Sequence, residues 1–381
     1  WRWVFYVNLP IGIVALLALI FLMPRLRGHG QRVSIDYTGA ALLVLGTVPL
    51  LLGFTWAGTQ YSWFSPQILG LFVFSVLVLI GFVFYELRVE RRGDEPILEP
   101  TLFKNSVVSV SILVSFAFGM SLFGSVFFIP LFVQGVVGTS ATASGLILTP
   151  LMLTSIVGSV IVGQLVARWG RYKVLAIAGM VFSVLGSALL LRLNVSSTSN
   201  DVLLAMLVLG VGLGFASALY TLIVQNALPT RIGQATAALT FFRSIGGTIG
   251  LAVMGSLMNA AYLPTFTRAL PAQARQVFPP SFLAAFNNPQ VLLSAAAQAQ
   301  LRVAAARFGP QGVPTLSTVL DGVKLGLADG IHTVFILSFV VMTIGLVAVV
   351  FLKDIPLGSA RKVAVAQKSV LPEARVVPEA H

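Results

Sequence analysis

The stretch GQATAALTFFRSIGGTIGLAVMGSL, residues 233–257, holds one charge, Arg243, in a run otherwise apolar enough to cross a bilayer. A charge at membrane depth costs roughly 2.5–3.5 kcal/mol on insertion scales, so such a residue usually faces protein or a water-filled cavity. The reading of the fold turns on whether the rest of the chain can build that cavity.

The composition allows it. Hydrophobic residues make up 57% of the 381 residues and charged residues 9%, and mean hydropathy is +0.95. A soluble domain carries about 25% charged residues, so this chain could not cover its surface in water. It reads as an all-α polytopic membrane protein. The net charge of +12 is expected on loops at the cytoplasmic face rather than at a nucleic acid. With no cysteine, disulfides, thiolate metal sites and cysteine catalysis are excluded.

Apolar runs near the ~20 residues needed to span fall at about 4–23, 37–57, 67–87, 107–134, 142–167, 173–193, 202–224, 233–260 and 331–353. Alternate short loops hold Arg25, Arg27 and Arg32; Arg88, Arg91, Arg92 and Lys104; Arg168, Arg171 and Lys173; and Arg231. The opposite loops 58–66, 135–141 and 194–201 hold no lysine or arginine. The basic set is therefore expected inside the cell, with the first helix running inward and the C-terminal tail cytoplasmic. Trp1, Trp3, Trp56, Trp63 and Trp169 all stand at predicted span ends, where interfacial anchoring places them. The chain starts at Trp1, and an odd set of spans entering from outside is expected of part of a larger protein.

The spans differ in texture. Those at 37–57 and 67–87 are rich in Leu, Val and Phe and read as a passive pair, with Asp36 and Glu86 at their cytoplasmic ends. The connector RVERRGDEPILEPTLFKN, 88–105, is charged and broken by prolines. Six spans rich in small residues follow, including the pairs Gly246/Gly250 and Gly210/Gly214, which permit close helix approach. Pro130 and Pro150 lie inside spans, where they can break the hydrogen-bond ladder beside a cavity. Residues 261–330 form the one long connection, expected to be external. Within it VLLSAAAQAQLRVAAARF, 291–308, is expected to form a surface helix. The tail from 354 is polar and basic and is expected to be disordered.

Four phrases then resemble a known family. WRWVFYVNLPIG, 1–12, is similar to the sixth span of the fourteen-span drug/proton antiporters of the major facilitator superfamily (the EmrB/QacA type). FFIPLFVQGVVGTSATASGLILTP, 127–150, resembles that family's ninth and tenth spans, and GQLVARWGRYKVL, 163–175, its cytoplasmic loop motif GxLaDrxGrkxxl. QNALPTRIGQATAALTFFRSIGGTIGLAVMGSL, 225–257, resembles the entry to the thirteenth span. Ala167 stands where the loop motif usually has Asp, which weakens a gating role for this copy.

The resemblance implies a major facilitator fold, here spans six to fourteen without the first five. Residues 1–24 would be the last helix of an N-terminal bundle and 25–106 a two-helix central insert. Residues 107–353 would be a six-helix transport bundle, with 354–381 a cytoplasmic tail. It implies a multi-pass protein of the bacterial inner membrane that exports small amphipathic or hydrophobic molecules against protons, rocking its bundles about a midplane site. No cofactor, metal or enzymatic activity is implied.

In the implied fold the spans 107–134, 142–167, 202–224 and 233–260 line the cavity. Arg243 then lies about 15 Å above the cytoplasmic entry at 1.5 Å per residue. It could meet an anionic group or a carboxylate there, or snorkel to the face, or bond carbonyls between helices. Phe116, Met120, Phe123 and Phe127 are spaced along one helix face and could meet apolar substrates with Gln134, Met152 and Tyr220. The same stripe serves equally as packing surface. The loop motif offers Gly163, Arg168, Gly170 and Arg171 to the cytoplasmic gate, with Gln225 nearby.

None of the twelve acidic residues lies in the middle of a predicted span. A proton-driven carrier needs an embedded titratable group, so the coupling carboxylate is expected in the absent spans. Alternatives remain open: export of a lipid, a peptide or an endogenous metabolite by the same fold, or a fragment that transports nothing. No constellation of paired acids, His clusters or nucleophile with base supports an enzyme.

Overall fold

The computed structural model describes residues 2, 6–22, 36–58, 60–93, 96–229, 231–287, 289 and 295–354. The basic loop with Arg25, Arg27 and Arg32, the anchors Trp1 and Trp3, and the tail 355–381 lie outside them. Among the described residues every regular element is helical, and eight helices are long and apolar enough to cross a membrane. The first predicted span is described as the shorter apolar helix α1 (Asn8–Leu22) of 15 residues.

Helices α2 (Tyr37–Trp56) and α3 (Pro66–Arg92) form a packed pair. The Asp36 carboxylate caps α2 by accepting the Gly39 N–H at 2.7 Å, and Pro66 follows the Ser65 cap of α3. Leu79 covers Gly46 and Phe72 covers Gly53, positions where a methyl group would collide at 2.7 Å. A 3₁₀ turn at Pro100–Lys104 then leads into α4 (Ser106–Phe132), capped by Asn105.

Proline shapes the next two spans. Pro130 lies inside α4, which runs into a single π-helical turn at Val133–Val137. The predicted span 142–167 is divided into α5 (Ala141–Leu146) and α6 (Leu148–Trp169). The division at Ile147 follows from Pro150, which has no N–H for the carbonyl of Leu146 and crowds it.

Gly170, with φ +65°, ends α6, and a left-handed residue there lets the chain turn at once into α7 (Lys173–Leu190). Thr198 and Asp201 form a capping box at the start of α8 (Ser199–Ala227). This helix packs against α4, α6 and α7 and is the most enclosed of the later helices with α4. Gly210 and Gly214 meet the backbone of Leu151 and Ser155 on α6, so the small-residue pair serves as a crossing point.

The long connection predicted at 261–330 is largely helix. Helix α9 runs Ile232–Ala269, and after the short α10 (Ala272–Val277), α11 (Pro280–Leu283) and α12 (Ala295–Ala306), α13 runs Gly312–Val350. Helices of 38 and 39 residues extend about 57 Å, nearly twice the ~30 Å of a hydrocarbon core. They therefore continue past it side by side, with α12 inside the predicted surface helix. Apolar spacing alone ended those spans early because the extensions, with Arg268, Asp321 and Asp329, are polar enough to resemble loop.

Helix α13 closes the bundle against α4, α7 and α9. Ser121 and Ser338 hydroxyls meet at 3.0 Å between α4 and α13. The buried Tyr172 hydroxyl donates to the Lys353 carbonyl at 2.8 Å, fixing the end of α13 to the turn after α6.

Candidate functional site

Arg243 sits where α4 and α9 cross. Gly119 on α4 lies against the Arg243 carbonyl, and Gly246 on α9 lies against the backbone of Phe116. Without side chains at these positions the two backbones touch, which only glycine permits. The half-buried guanidinium then lies 5.9 Å from the centroid of the buried Phe118 ring on α4. A cation over an aromatic face gains about 0.5–2 kcal/mol, more as water is removed. Among the described residues Arg243 has no carboxylate partner; its side chain points across the crossing.

The stripe on α4 changes character along its length. Met120 is 8% exposed and packs on Gly250, and Phe123 covers Gly247 but is 37% exposed. Phe127, 53% exposed, stacks on Phe123 with centroids 6.5 Å apart. The stripe thus starts as packing and ends on an open face. Arg243 meets the same helix through Phe118, which lies outside the stripe. Gln134 falls in the π turn after α4, Met152 is exposed on α6, and Tyr220 is buried in α8 with no hydrogen-bond partner for its hydroxyl among the described residues.

At the basic end, Arg168 and Arg171 are exposed beside Gly170, and Gly163 faces open space. Gln225 donates from Nε2 to the Thr236 hydroxyl at 3.1 Å, joining the end of α8 to the start of α9. Two contacts there escaped the sequence reading. Buried Glu99 forms an ion pair with Arg231, and Gln234 donates to the Pro96 carbonyl at 2.9 Å. Phe103 adds an edge-on contact with Phe242 at 5.8 Å. The connector after α3 is therefore latched to α9 from its start at Arg231 up to Phe242, beside Arg243.

The pair α2–α3 also packs against the bundle. Its turn is joined to α9 by a hydrogen bond from Trp63 Nε1 to Ser256 Oγ at 2.8 Å. A cavity of about 710 Å³ opens between the C-terminal ends of α2 and α4 and the C-terminal half of α9. No sequence signal marked it, because its walls come from three helices far apart in the chain. Asp36 and Glu86 also come together across Gly39, where an added methyl would meet Glu86 Oε1 at 2.6 Å.

Comparison with known proteins places this arrangement. The family model described as Major Facilitator Superfamily matches residues 1–251. The chain is 35% identical to the multidrug transporter protein MdtP of Bacillus subtilis over 94% of its length, covering 66% of that protein. It is 29% identical to multidrug resistance protein 3 of the same organism, over 92% of this chain and 65% of that one. A tetracycline resistance determinant of Streptomyces rimosus is 33% identical over 84% of this chain and 92% of its own length. The chain thus spans about two thirds of the length of the two Bacillus relatives. It belongs to the major facilitator superfamily, a family of multi-pass membrane transporters.

Proposed function

We infer that this chain belongs to a multidrug-type exporter that couples outward movement of small amphipathic or hydrophobic molecules to protons. The observation that carries this reading is the similarity, over 94% of the chain, to a relative named as a multidrug transporter. The chain corresponds in this reading to spans six to fourteen of a fourteen-span carrier, with α4, α6, α8 and α9 facing the substrate path and α2–α3 as the central insert. The basic loops and the tail face the cytoplasm of a bacterial cell. Coupling then needs a carboxylate from spans not included here, since Arg243 is the ionisable group at mid-depth on the lining helices.

The test uses the whole protein in cells stripped of their own exporters. Raised resistance to several unrelated lipophilic drugs, with dye efflux that stops when a protonophore collapses the gradient, is the expected result. Unchanged susceptibility across the panel would defeat the export reading, and efflux that survives the protonophore would defeat proton coupling.

A further inference from the structure

We propose that the cavity between α2, α4 and α9 is a binding site for an uncharged amphiphile, separate from the Arg243 cluster. Its volume, about 710 Å³, lies in the range of small-molecule sites, roughly 300–1,000 Å³. The chemistry of its walls selects the ligand class. Phe54, Phe128 and Leu251 supply an apolar side, while Thr248, Asn259 and Asn287 supply polar groups. Among the described residues that line it none is ionisable. A charged ligand would give up water and meet no counter-charge among these residues.

The polar groups also have a direction. The Thr248 hydroxyl donates to the Ser244 carbonyl at 3.1 Å, so toward the cavity it can only accept. The Asn259 and Asn287 amides make no side-chain hydrogen bond among the described residues and are free to donate and accept. A neutral molecule with an apolar body and a hydrogen-bonding end meets both sides. The wall from α2 is held by the Trp63–Ser256 hydrogen bond and by Gly58, whose φ of +74° turns the chain toward α9. Of the cluster predicted from sequence, none lines this space. The site therefore differs from the Arg243 crossing in both place and charge.

Gly255 gives the test. It lines the cavity, and a side chain added there meets nothing within 4 Å. A leucine at this position starts from open space at its Cβ and takes up part of the cavity. The intact protein in lipid nanodiscs is titrated with the neutral probe N-phenyl-1-naphthylamine, read by energy transfer from tryptophan, and in parallel with the cation ethidium. Saturable binding of the neutral probe is expected to weaken by about tenfold or more in Gly255→Leu, equivalent to about 1.4 kcal/mol or more. Gly255→Ala should weaken it less and ethidium should be unaffected. Thermal midpoints of both variants confirm the fold, and Asn259→Ala, which keeps the space and removes an amide, should also weaken the neutral probe. Equal affinity of wild type and Gly255→Leu for the neutral probe would overturn the site, and an equal loss of ethidium would overturn its charge selectivity. Failure of efflux in the wild type, with this binding intact, would remove the export reading and leave the site standing.

Discussion

Trp63 and Ser256, 193 positions apart, are joined by a 2.8 Å hydrogen bond that fastens the α2–α3 turn to α9. A methyl group at the neighbouring Gly58 would stand 3.4 Å from Ser256 Cβ, close to the ~3.5–4.5 Å that a disulfide needs. The chain has no native cysteine, so Gly58→Cys with Ser256→Cys gives an unambiguous probe. We expect the bridge to form on mild oxidation and to appear by mass spectrometry of proteolytic fragments. If α2–α3 moves with α9 as one body, the bridged protein keeps its transport. A bridge that forms and halts transport would show that the pair swings relative to α9. The positive φ of Gly58 makes a cysteine there cost about 1–2 kcal/mol.

The α4–α9 crossing predicts a sharp contrast between glycines. At Gly246 a side chain would press on the Phe116 backbone, where no flexible atom can yield. Gly246→Leu should therefore separate the helices and abolish a monodisperse folded peak in detergent chromatography. At Gly81, inside α3, nothing lies within 4 Å of an added methyl. Gly81→Ala should be tolerated and gain about 0.5–1 kcal/mol from helix propensity. Equal behaviour of the two variants would mean the crossing is not close-packed.

What the sequence made legible follows from how far each signal reaches. Spans and the small-residue pairs are local, so apolar length and glycine spacing found them. Arg243 stood out because one charge in an apolar run is costly. Its partner Phe118 did not, since the apolar spacing on α4 pointed to Phe116 and Phe123, and only the crossing geometry turns Phe118 toward α9. The latch of Glu99 on Arg231 and the cavity walls join segments more than a hundred residues apart. No periodicity encodes such meetings. The helical extensions of α9 and α13 were missed for another reason: charged residues end a hydropathy run, but they do not end a helix.

Glu86 offers a test of a buried charge near the end of α3. The side chain is fully buried, its carboxylate faces the backbone N–H groups of Leu98 and Ile97, and Asp36 stands across Gly39. Two carboxyl groups converging without a cation repel when both are ionised. Glu86→Gln keeps the shape and removes one charge, so the variant should be at least as stable as the parent, with a thermal midpoint raised by a few degrees at neutral pH. Asp36→Asn should do less, because Asp36 also caps α2 and accepts the Tyr85 hydroxyl at 3.0 Å. A fall of several degrees in Glu86→Gln would mean that its charge is matched by a cation.

Arg243 and Phe118 make the last test, and it separates a structural guanidinium from a transporting one. If the cation only holds α4 to α9, Arg243→Met keeps the long apolar stem and sacrifices about 0.5–2 kcal/mol of attraction to the ring. Phe118→Leu should then lower the thermal midpoint by a similar amount, and efflux by the whole protein should follow folded protein level in both variants. If the guanidinium instead meets substrate or a carboxylate during the cycle, the two variants part company. Arg243→Met is expected to lose about tenfold or more of its efflux per folded molecule, about 1.4 kcal/mol or more in the transition state. Phe118→Leu keeps most of it, and Arg243→Lys, which retains the charge without the planar fork, falls between. We expect this second pattern, because among the described residues the charge at this crossing has no acidic partner within the chain. Efflux per folded molecule that is equal in all three variants would confine Arg243 to packing.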